Sequence, residues 1–426
     1  MALVISYFLF LVLLFVSVRL FFTKEGITTS PYNPLERMKC SGLELFLIFV
    51  FTTGLLGIMP LLAVRLGLLE AFCIAGIIMC KNKTIISFPI VLFILFVLWT
   101  VIGLAYTPTV SYGFRMVLKY AAPLLVCLLA STVVRDGEIL LKAMIRARNF
   151  CVIALLVFIV PFLNVLFGIS FWHSAAVVTH CISLAMFSLA LFFFSDEKKK
   201  NLIWFLALCF PCFWFVIRTD IMGTMVALST FSLIRYRIKA IPVLCVIGCL
   251  SLASMFYIPN VKAKMYFRPD EVSLTDFLTG NVDENNINTS GRKNVWEEAT
   301  VIYEQNDPLI GSGTGTIQEY LYAKYNYGAQ LHGDFLVMLV DNGLIGLILF
   351  LAMYLAVVAH CIIIYRKNND PLIQLSALSA GASLVGVMVT MYSDNTISFS
   401  LATLAYPWGL YGMVLGILEK QKQIYG

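Results

Sequence analysis

Long apolar runs follow one another along almost the whole chain, and this pattern restricts the fold more than any other feature. A helix needs about 20 predominantly apolar residues to cross the hydrocarbon core of a bilayer. The runs are too long and continuous for the alternating ten-residue strands of an outer-membrane barrel. The sequence therefore predicts an all-α bundle of 12 or 13 membrane spans. The candidate spans lie near 3–22, 43–64, 66–80, 85–106, 117–134, 149–168, 175–195, 201–217, 219–234, 239–257, 335–365, 372–392 and 396–418.

Composition also indicates a membrane protein. The 426 residues are 60% hydrophobic and 13% charged, whereas a soluble chain is about half apolar and about a quarter charged. The net charge of +6 is modest. It fits basic residues retained in cytoplasmic loops, and it predicts no nucleic-acid partner.

The distribution of Lys and Arg predicts the orientation of the bundle. Basic residues concentrate in alternate short connections, which the positive-inside rule assigns to the cytoplasm. The clusters lie at 135–148, 198–200, 235–239, 366–367 and 420–422. The alternation places 258–334 on the outer, periplasmic-type face, and this segment holds eleven acidic against six basic residues. We expect N-terminal spans over 1–257, a loop domain over 258–334 and C-terminal spans over 335–426.

His332 is the first candidate for chemistry. It precedes a long apolar helix directly, in LHGDF, at the end of the polar segment. A neutral imidazole is the usual proton acceptor near neutral pH. His180 and His360 lie inside apolar runs, and His173 stands beside Trp172 as interface residues do. The alternative for His332 is a polar residue at a helix start.

Two acidic residues accompany this histidine. Asp334 is the expected N-cap of the helix that follows His332. Asp394 lies in an outer turn between the last two spans, where it can orient His332, pair with an arginine or simply form the turn.

Two arginines are candidate anion ligands. Arg218 lies between two apolar runs on the outer side, where a positive-inside arginine is not expected. Its guanidinium suits a phosphate, although snorkelling or an ion pair with Asp220 would also explain it. Arg292 begins a predicted amphipathic helix that extends to Tyr303. It opposes the dipole of that helix, which a bound anion would explain, and an exposed charge is the alternative.

The order of these motifs resembles the O-antigen ligase / O-antigen polymerase superfamily of bacterial envelope glycosyltransferases. Four features follow one another in the order of that superfamily: an outer arginine, GRxxxW, the Gly-rich segment 311–316 and LHGDFLxxLxxxGLIG. The similarity covers about 200–420. Arg218, Arg292 and His332 match the membrane-edge arginine, the loop arginine and the essential histidine. Asp394 matches the acidic residue before the last span. The chain departs from the pattern with Trp296 in place of a common leucine and Gly333 in place of a frequent asparagine.

The resemblance implies a GT-C-like fold and a reaction without metal or other cofactor. The implied donor is a glycan on undecaprenyl pyrophosphate, held by Arg218 and Arg292, and His332 is the implied general base. A single displacement inverts the anomeric configuration. The acceptor is a second lipid-linked repeat unit for an O-antigen or capsular polymerase and lipid A-core for a ligase. We lean towards the polymerase.

The implied location is the bacterial inner membrane, with the active site facing the periplasm. The resemblance also allows a chain-length regulator protein as a partner. Two other classes stay open: a lipid-linked oligosaccharide flippase or other transporter, and a non-catalytic assembly scaffold. We expect 311–316 to be a loop, and Gly343 and Gly346 to let a neighbouring helix approach closely.

Overall fold

The computed structural model describes residues 2–33, 35–54, 62–158, 175–325 and 330–425. His173 and parts of the predicted spans near 43–64 and 149–168 lie outside these ranges. The first half contains α1 (Ala2–Phe21), β1 (Glu25–Thr29), β2 (Arg37–Ser41), α2 (Gly42–Thr53), α3 (Leu62–Met79), α4 (Phe88–Ile102), α5 (Val110–Val133), α6 (Gly137–Phe158), α7 (Ala175–Phe194), α8 (Lys198–Trp214), α9 (Arg218–Tyr236) and α10 (Ile241–Tyr257).

The second half begins with short helices and ends with long ones. Its elements are α11 (Pro259–Met265), α12 (Leu274–Thr279), α13 (Arg292–Glu304), α14 (Thr316–Lys324), α15 (Asp334–Lys367), α16 (Pro371–Thr390), α17 (Ser400–Thr403) and α18 (Ala405–Tyr425). The helix predicted from Arg292 is confirmed as α13. The division of the chain into three domains stays a prediction.

Five of the described helices are long and apolar enough to cross a membrane, and a sixth span results if the pair 397–403 and 405–424, bent by 49°, counts as one. The five comprise Phe88–Ala105, Val110–Val133, Ala176–Phe194, Asp334–Lys367 and Pro371–Thr390. The fold is therefore an all-α, multi-pass membrane bundle. The larger number of 12 or 13 spans stays a prediction.

A small β-hairpin between α1 and α2 was not predicted. β1 and β2 pair antiparallel, with Glu25 opposite Ser41. Two basic side chains of α6 hold it, because the Lys142 ammonium donates to Thr29 and the Arg146 guanidinium to Thr28. The hairpin thus lies at the same end of the bundle as the basic start of α6.

Close packing of α9 on α16 positions the candidate site. A Cβ built on Gly223 would lie 2.8 Å from the Gly386 carbonyl oxygen, and one on Gly386 would lie 2.8 Å from the Gly223 carbonyl oxygen. Small residues allow such an approach between membrane helices. The contact brings the start of α9, at Arg218, to the same end as the turn that follows α16.

The long helix α15 is broken at Gly343, which adopts φ 63° and ψ −169°. A Cβ there would collide with the carbonyl of Leu309, so the close approach is made by the loop before the Gly-rich turn. For Gly343 the expectation of a neighbouring helix was wrong. For Gly346 it is confirmed, since its Cβ would lie 3.2 Å from the Trp99 ring of α4.

The 311–316 turn replaces the hydrogen bonds that the break removes. The N–H groups of Ser312 and Gly313 donate to the carbonyls of Val340 and Asp341, each at 2.9 Å. The Asp341 carboxylate accepts from the N–H groups of Gly315 and Ile317, at 2.8 and 2.9 Å, at the start of α14. The irregular backbone is tolerated here because the protein itself satisfies its polar groups.

Candidate active site

A cavity of about 550 Å³ opens at the end of the bundle where α9 begins and α16 ends. Four of the five predicted site residues line it: Arg218, Arg292, His332 and Asp394. They come from four separate segments, so only the folded chain brings them together. The fifth residue, Asp334, does not line the cavity.

Arg218 is the first residue of α9 and is half-buried. Its guanidinium donates to the carbonyl of Asn288 at 2.8 Å and to the Ser290 hydroxyl at 3.0 Å. The hydroxyl of Thr179, rather than Arg218, donates to the Asp220 carboxylate at 2.7 Å. The structure therefore favours an arginine fixed at the cavity over an ion pair with Asp220.

The chain turns sharply just before Arg218. Val216 adopts φ 50°, an uncommon conformation for a β-branched residue. The Lys264 ammonium of α11 donates to the carbonyls of Phe215 and Val216. A cation at these carbonyls satisfies the end of α8, and it holds the turn that presents Arg218.

Arg292 begins α13 after two residues with positive φ, Ser290 at 56° and Gly291 at 75°. It is half-buried, and its side chain makes no hydrogen bond or ion pair within the described part of the chain. Burial lowers the pKa of Arg292, and the charge of Asp394 opposes that shift. Burial and then the charge of Arg292 lower the pKa of Arg218. Two mutually repelling guanidinium groups on one cavity favour an anionic ligand.

His332 faces this cavity with an acidic partner. Its Nδ1 lies 3.4 Å from Oδ1 of Asp394. A carboxylate can only accept, so this contact requires the proton on Nδ1. The neutral ring then has a lone pair on Nε2, as a general base needs.

Hydrogen bonds from neighbouring segments fix the backbone around His332. The Trp296 indole N–H of α13 donates to the His332 carbonyl at 2.6 Å. The next residue, Gly333, adopts φ 139°, and a Cβ there would lie 3.1 Å from the Tyr392 carbonyl oxygen. The Asp334 N–H donates to the Met391 carbonyl at 2.8 Å. The His332 loop is therefore held against α13 and against the turn after α16.

The predicted N-cap role of Asp334 is wrong. The N-cap of α15 is Gly333, and no side chain caps it. Asp334 is buried at the first helical position, and its carboxylate accepts the Ile397 N–H at 3.0 Å. The side chain therefore ties α15 to the turn after α16 instead of capping its own helix.

Sequence reasoning missed the polar residues between the predicted ones. These carry no motif of their own, and their chain positions do not indicate that they meet. They comprise Thr179, Thr219, Lys264, Asn288, Ser290, Gln330, Asn395 and Thr396. Several of them lie within four residues of a predicted site residue, but Thr179 and Lys264 do not.

Comparison with known families gives one match. Residues 163–351 match the family model described as O-antigen ligase. This confirms the O-antigen ligase and polymerase superfamily for that part of the chain. A search of curated proteins gave no significant match.

The O-antigen ligase match includes three of the four cavity-lining site residues. Arg218, Arg292 and His332 lie within it, whereas Asp394 lies beyond its end. The match begins earlier and ends earlier than the 200–420 that the motifs indicated. The match points to a glycosyltransferase-like enzyme, and the cavity combines two guanidinium groups with a histidine that contacts a carboxylate.

Proposed function

We propose that the chain is an inverting, metal-independent glycosyltransferase whose donor is an undecaprenyl-pyrophosphate-linked glycan. The observation that carries the proposal is the meeting of Arg218, Arg292, His332 and Asp394 on one cavity. The proposed active site faces the periplasm of a bacterial inner membrane.

The two arginines would bind the pyrophosphate. Arg292 makes no bond to another side chain of the described chain, and Arg218 is held at the cavity by Asn288 and Ser290. As the bond from the anomeric carbon to the phosphate oxygen breaks, negative charge grows on the leaving pyrophosphate. Preorganised cations stabilise that charge without reorganising.

His332 would act on the acceptor. A sugar hydroxyl attacks the anomeric carbon from the face opposite the leaving group, and Nε2 takes the hydroxyl proton. Asp394 at Nδ1 keeps the ring in the required tautomer and stabilises the imidazolium that forms. One displacement inverts the anomeric centre, and the lipid pyrophosphate leaves with the electron pair.

The reaction is tested with purified protein in lipid nanodiscs and a lipid-linked repeat unit. We expect His332→Ala to lower the transfer rate by about 10² to 10⁴, the usual contribution of a general base. Unchanged activity of a correctly inserted His332→Ala protein would refute the mechanism.

The anion-binding role has a matched control. Arg292→Ala and Lys293→Ala remove one positive charge at adjacent positions of α13, but only Arg292 lines the cavity. We expect Arg292→Ala to abolish detectable transfer and Lys293→Ala to leave it intact. Equal losses in both variants would mean that general surface charge, not a pyrophosphate clamp, is responsible.

The acceptor separates polymerase from ligase. We favour a polymerase of O-antigen or capsular repeat units, and the ligase is the second candidate because the matching family is described as O-antigen ligase. In a deletion strain, lipid A-core carrying a single repeat would identify a polymerase. Uncapped core with accumulating lipid-linked polymer would identify a ligase. Loss of capsule with unchanged lipopolysaccharide would identify a capsular polymerase.

Orientation is tested by labelling. Asn281 is exposed directly after α12. We expect an impermeant thiol reagent to label Asn281→Cys from the periplasmic side. Labelling that requires permeabilised inner membranes would invert the proposed topology.

A further inference from the structure

Two chemically different sets of residues line the cavity. Arg218 and Arg292 form the first set and supply positive charge. The segments 330–332 and 394–396 form the second set and supply a histidine, a carboxylate and two amides. An anionic group is attracted by the guanidinium groups and repelled by Asp394. The second set therefore suits a neutral group that carries hydroxyls.

Two amides of this second set are paired. The Asn395 side-chain amide donates to Oε1 of Gln330 at 3.0 Å. Asn395 is 7% exposed, and its backbone N–H donates to the Asp394 carboxylate at 2.8 Å. Its side-chain oxygen accepts no hydrogen bond from the described residues. The Gln330 amide nitrogen has one contact, at 3.5 Å, with the hydroxyl of Tyr322.

The pairing leaves both donors and an acceptor for a ligand. A sugar hydroxyl donates one hydrogen bond and accepts others, so side-chain amides match it better than charged groups of one sign do. The burial of Asn395 and its bond to Gln330 hold one amide in place before a ligand arrives. Such preorganisation reduces the ordering cost of binding.

The amide pair adjoins the proposed base. Gln330 precedes His332 by two residues, and Asn395 follows the carboxylate that contacts His332 Nδ1. A sugar held by the pair would lie beside the histidine. We propose that Gln330 and Asn395 form the subsite for the sugar hydroxyls of the acceptor glycan, which deepens the proposed function and rests on it.

A purely structural role would be redundant. The His332 loop and the turn after α16 are already joined by the contact between His332 and Asp394 and by two bonds, from the Asp334 N–H to the Met391 carbonyl and from the Ile397 N–H to the Asp334 carboxylate. The amide pair adds a further link, but it does so at the cavity wall, and Gln330 is exposed. An exposed amide is a poor structural support and an accessible ligand group.

The test measures KM for each substrate separately in nanodiscs. Gln330→Met keeps the length of the side chain and removes its hydrogen bonds at an exposed position, so the fold should tolerate it. Gln305→Met is the matched control, since Gln305 is exposed at the end of α13 and does not line the cavity. Asn395→Leu is a second, buried variant.

We expect Gln330→Met to raise the acceptor KM about tenfold while the donor KM stays the same. Asn395→Leu should act in the same direction, and Gln305→Met should change neither KM. The assay is run with a lipid-linked repeat unit and, separately, with lipid A-core. The acceptor whose KM rises is the one that the subsite binds.

Two results would overturn the subsite. One is an acceptor KM unchanged by Gln330→Met with both acceptors. The other is an equal rise of donor and acceptor KM, which would mean that the pair only supports the cavity. Failure of the proposed function looks different, because wild-type protein would then transfer no glycan or His332→Ala would keep full activity.

Discussion

The contact between His332 and Asp394 makes a quantitative prediction for Asp394→Asn. Asparagine has the size of aspartate but no charge, and its amide can donate to Nδ1. Donation to Nδ1 selects the tautomer whose Nε2 carries the proton, and that nitrogen cannot accept another. The asparagine oxygen can instead accept from Nδ1–H, which keeps Nε2 free. The substitution should therefore impair the base without removing it.

The size of the expected loss in kcat follows from the distance between His332 and Asp394 and from the exposure of their side chains. Opposite unit charges 3.4 Å apart interact by about 1 kcal/mol in water and about 5 kcal/mol at an effective dielectric of about 20. The His332 side chain is 37% exposed and that of Asp394 15%, so solvent screens the pair and a value near 2 kcal/mol is appropriate. A loss of about 2 kcal/mol in the transition state lowers kcat about 30-fold.

The assay is single-turnover transfer with saturating donor and acceptor, so that binding does not limit the rate. Asp394→Asn is measured in the wild-type and His332→Ala backgrounds. If Asp394 acts through the imidazole, its substitution should cost about 30-fold in the first background and almost nothing in the second. Equal losses in both backgrounds would refute the argument and assign Asp394 to the fold of the turn or to the arginines.

The remaining predictions concern the supports of the site. Trp296→Phe removes the N–H that binds the His332 carbonyl at 2.6 Å. We expect kcat to fall about fivefold to tenfold, which corresponds to about one net hydrogen bond, while the donor KM stays unchanged. A change in donor KM alone would contradict this. Gly343→Ala forces a Cβ into the Leu309 carbonyl at φ 63°, and we expect the melting temperature in detergent to fall by several °C. Gly248→Ala is the control, because a Cβ there meets nothing within 4 Å, and it should leave the melting temperature of the protein unlowered. Lys264→Ala frees the turn before Arg218; we expect a higher donor KM with little change in acceptor KM, and the reverse pattern would place Lys264 on the acceptor side.

Much of the fold was accessible from the sequence because the physics is local. Apolar length predicts helices wherever the bilayer is the solvent, and α13 was found by its amphipathic pattern and the loop before it. The hairpin 25–41 was missed because its strands are five residues each, too short for a periodic signal. The break at Gly343 was missed because the segment reads as one apolar helix, and the Leu309 carbonyl and the Gly-rich turn that occupy the break come from an earlier part of the chain.

The role of Asp334 shows why side-chain contacts are harder to predict than elements. An aspartate before an apolar run is the usual N-cap signal. Here the helix begins one residue earlier than that rule requires, and the carboxylate binds the Ile397 N–H, 63 residues away. Local sequence carries no information about that partner. The same holds for Asn395 and Gln330, which meet only because α15 and α16 are adjacent.

The resulting division of the cavity bears on how one active site handles two glycans. Donor and acceptor of a polymerase are chemically alike in their sugars, so sugar recognition alone cannot tell them apart. The two substrates differ in the fate of the pyrophosphate, because only the pyrophosphate of the donor leaves during the reaction. In the proposed function, the arginines at the starts of α9 and α13 would bind that group, while His332 and the neighbouring amides, which line the same cavity, would contact hydroxyls. The direction of transfer would then depend on which residues of the cavity hold the donor pyrophosphate, and the close approach of Gly223 to Gly386 fixes the start of α9, with Arg218, against the end of α16.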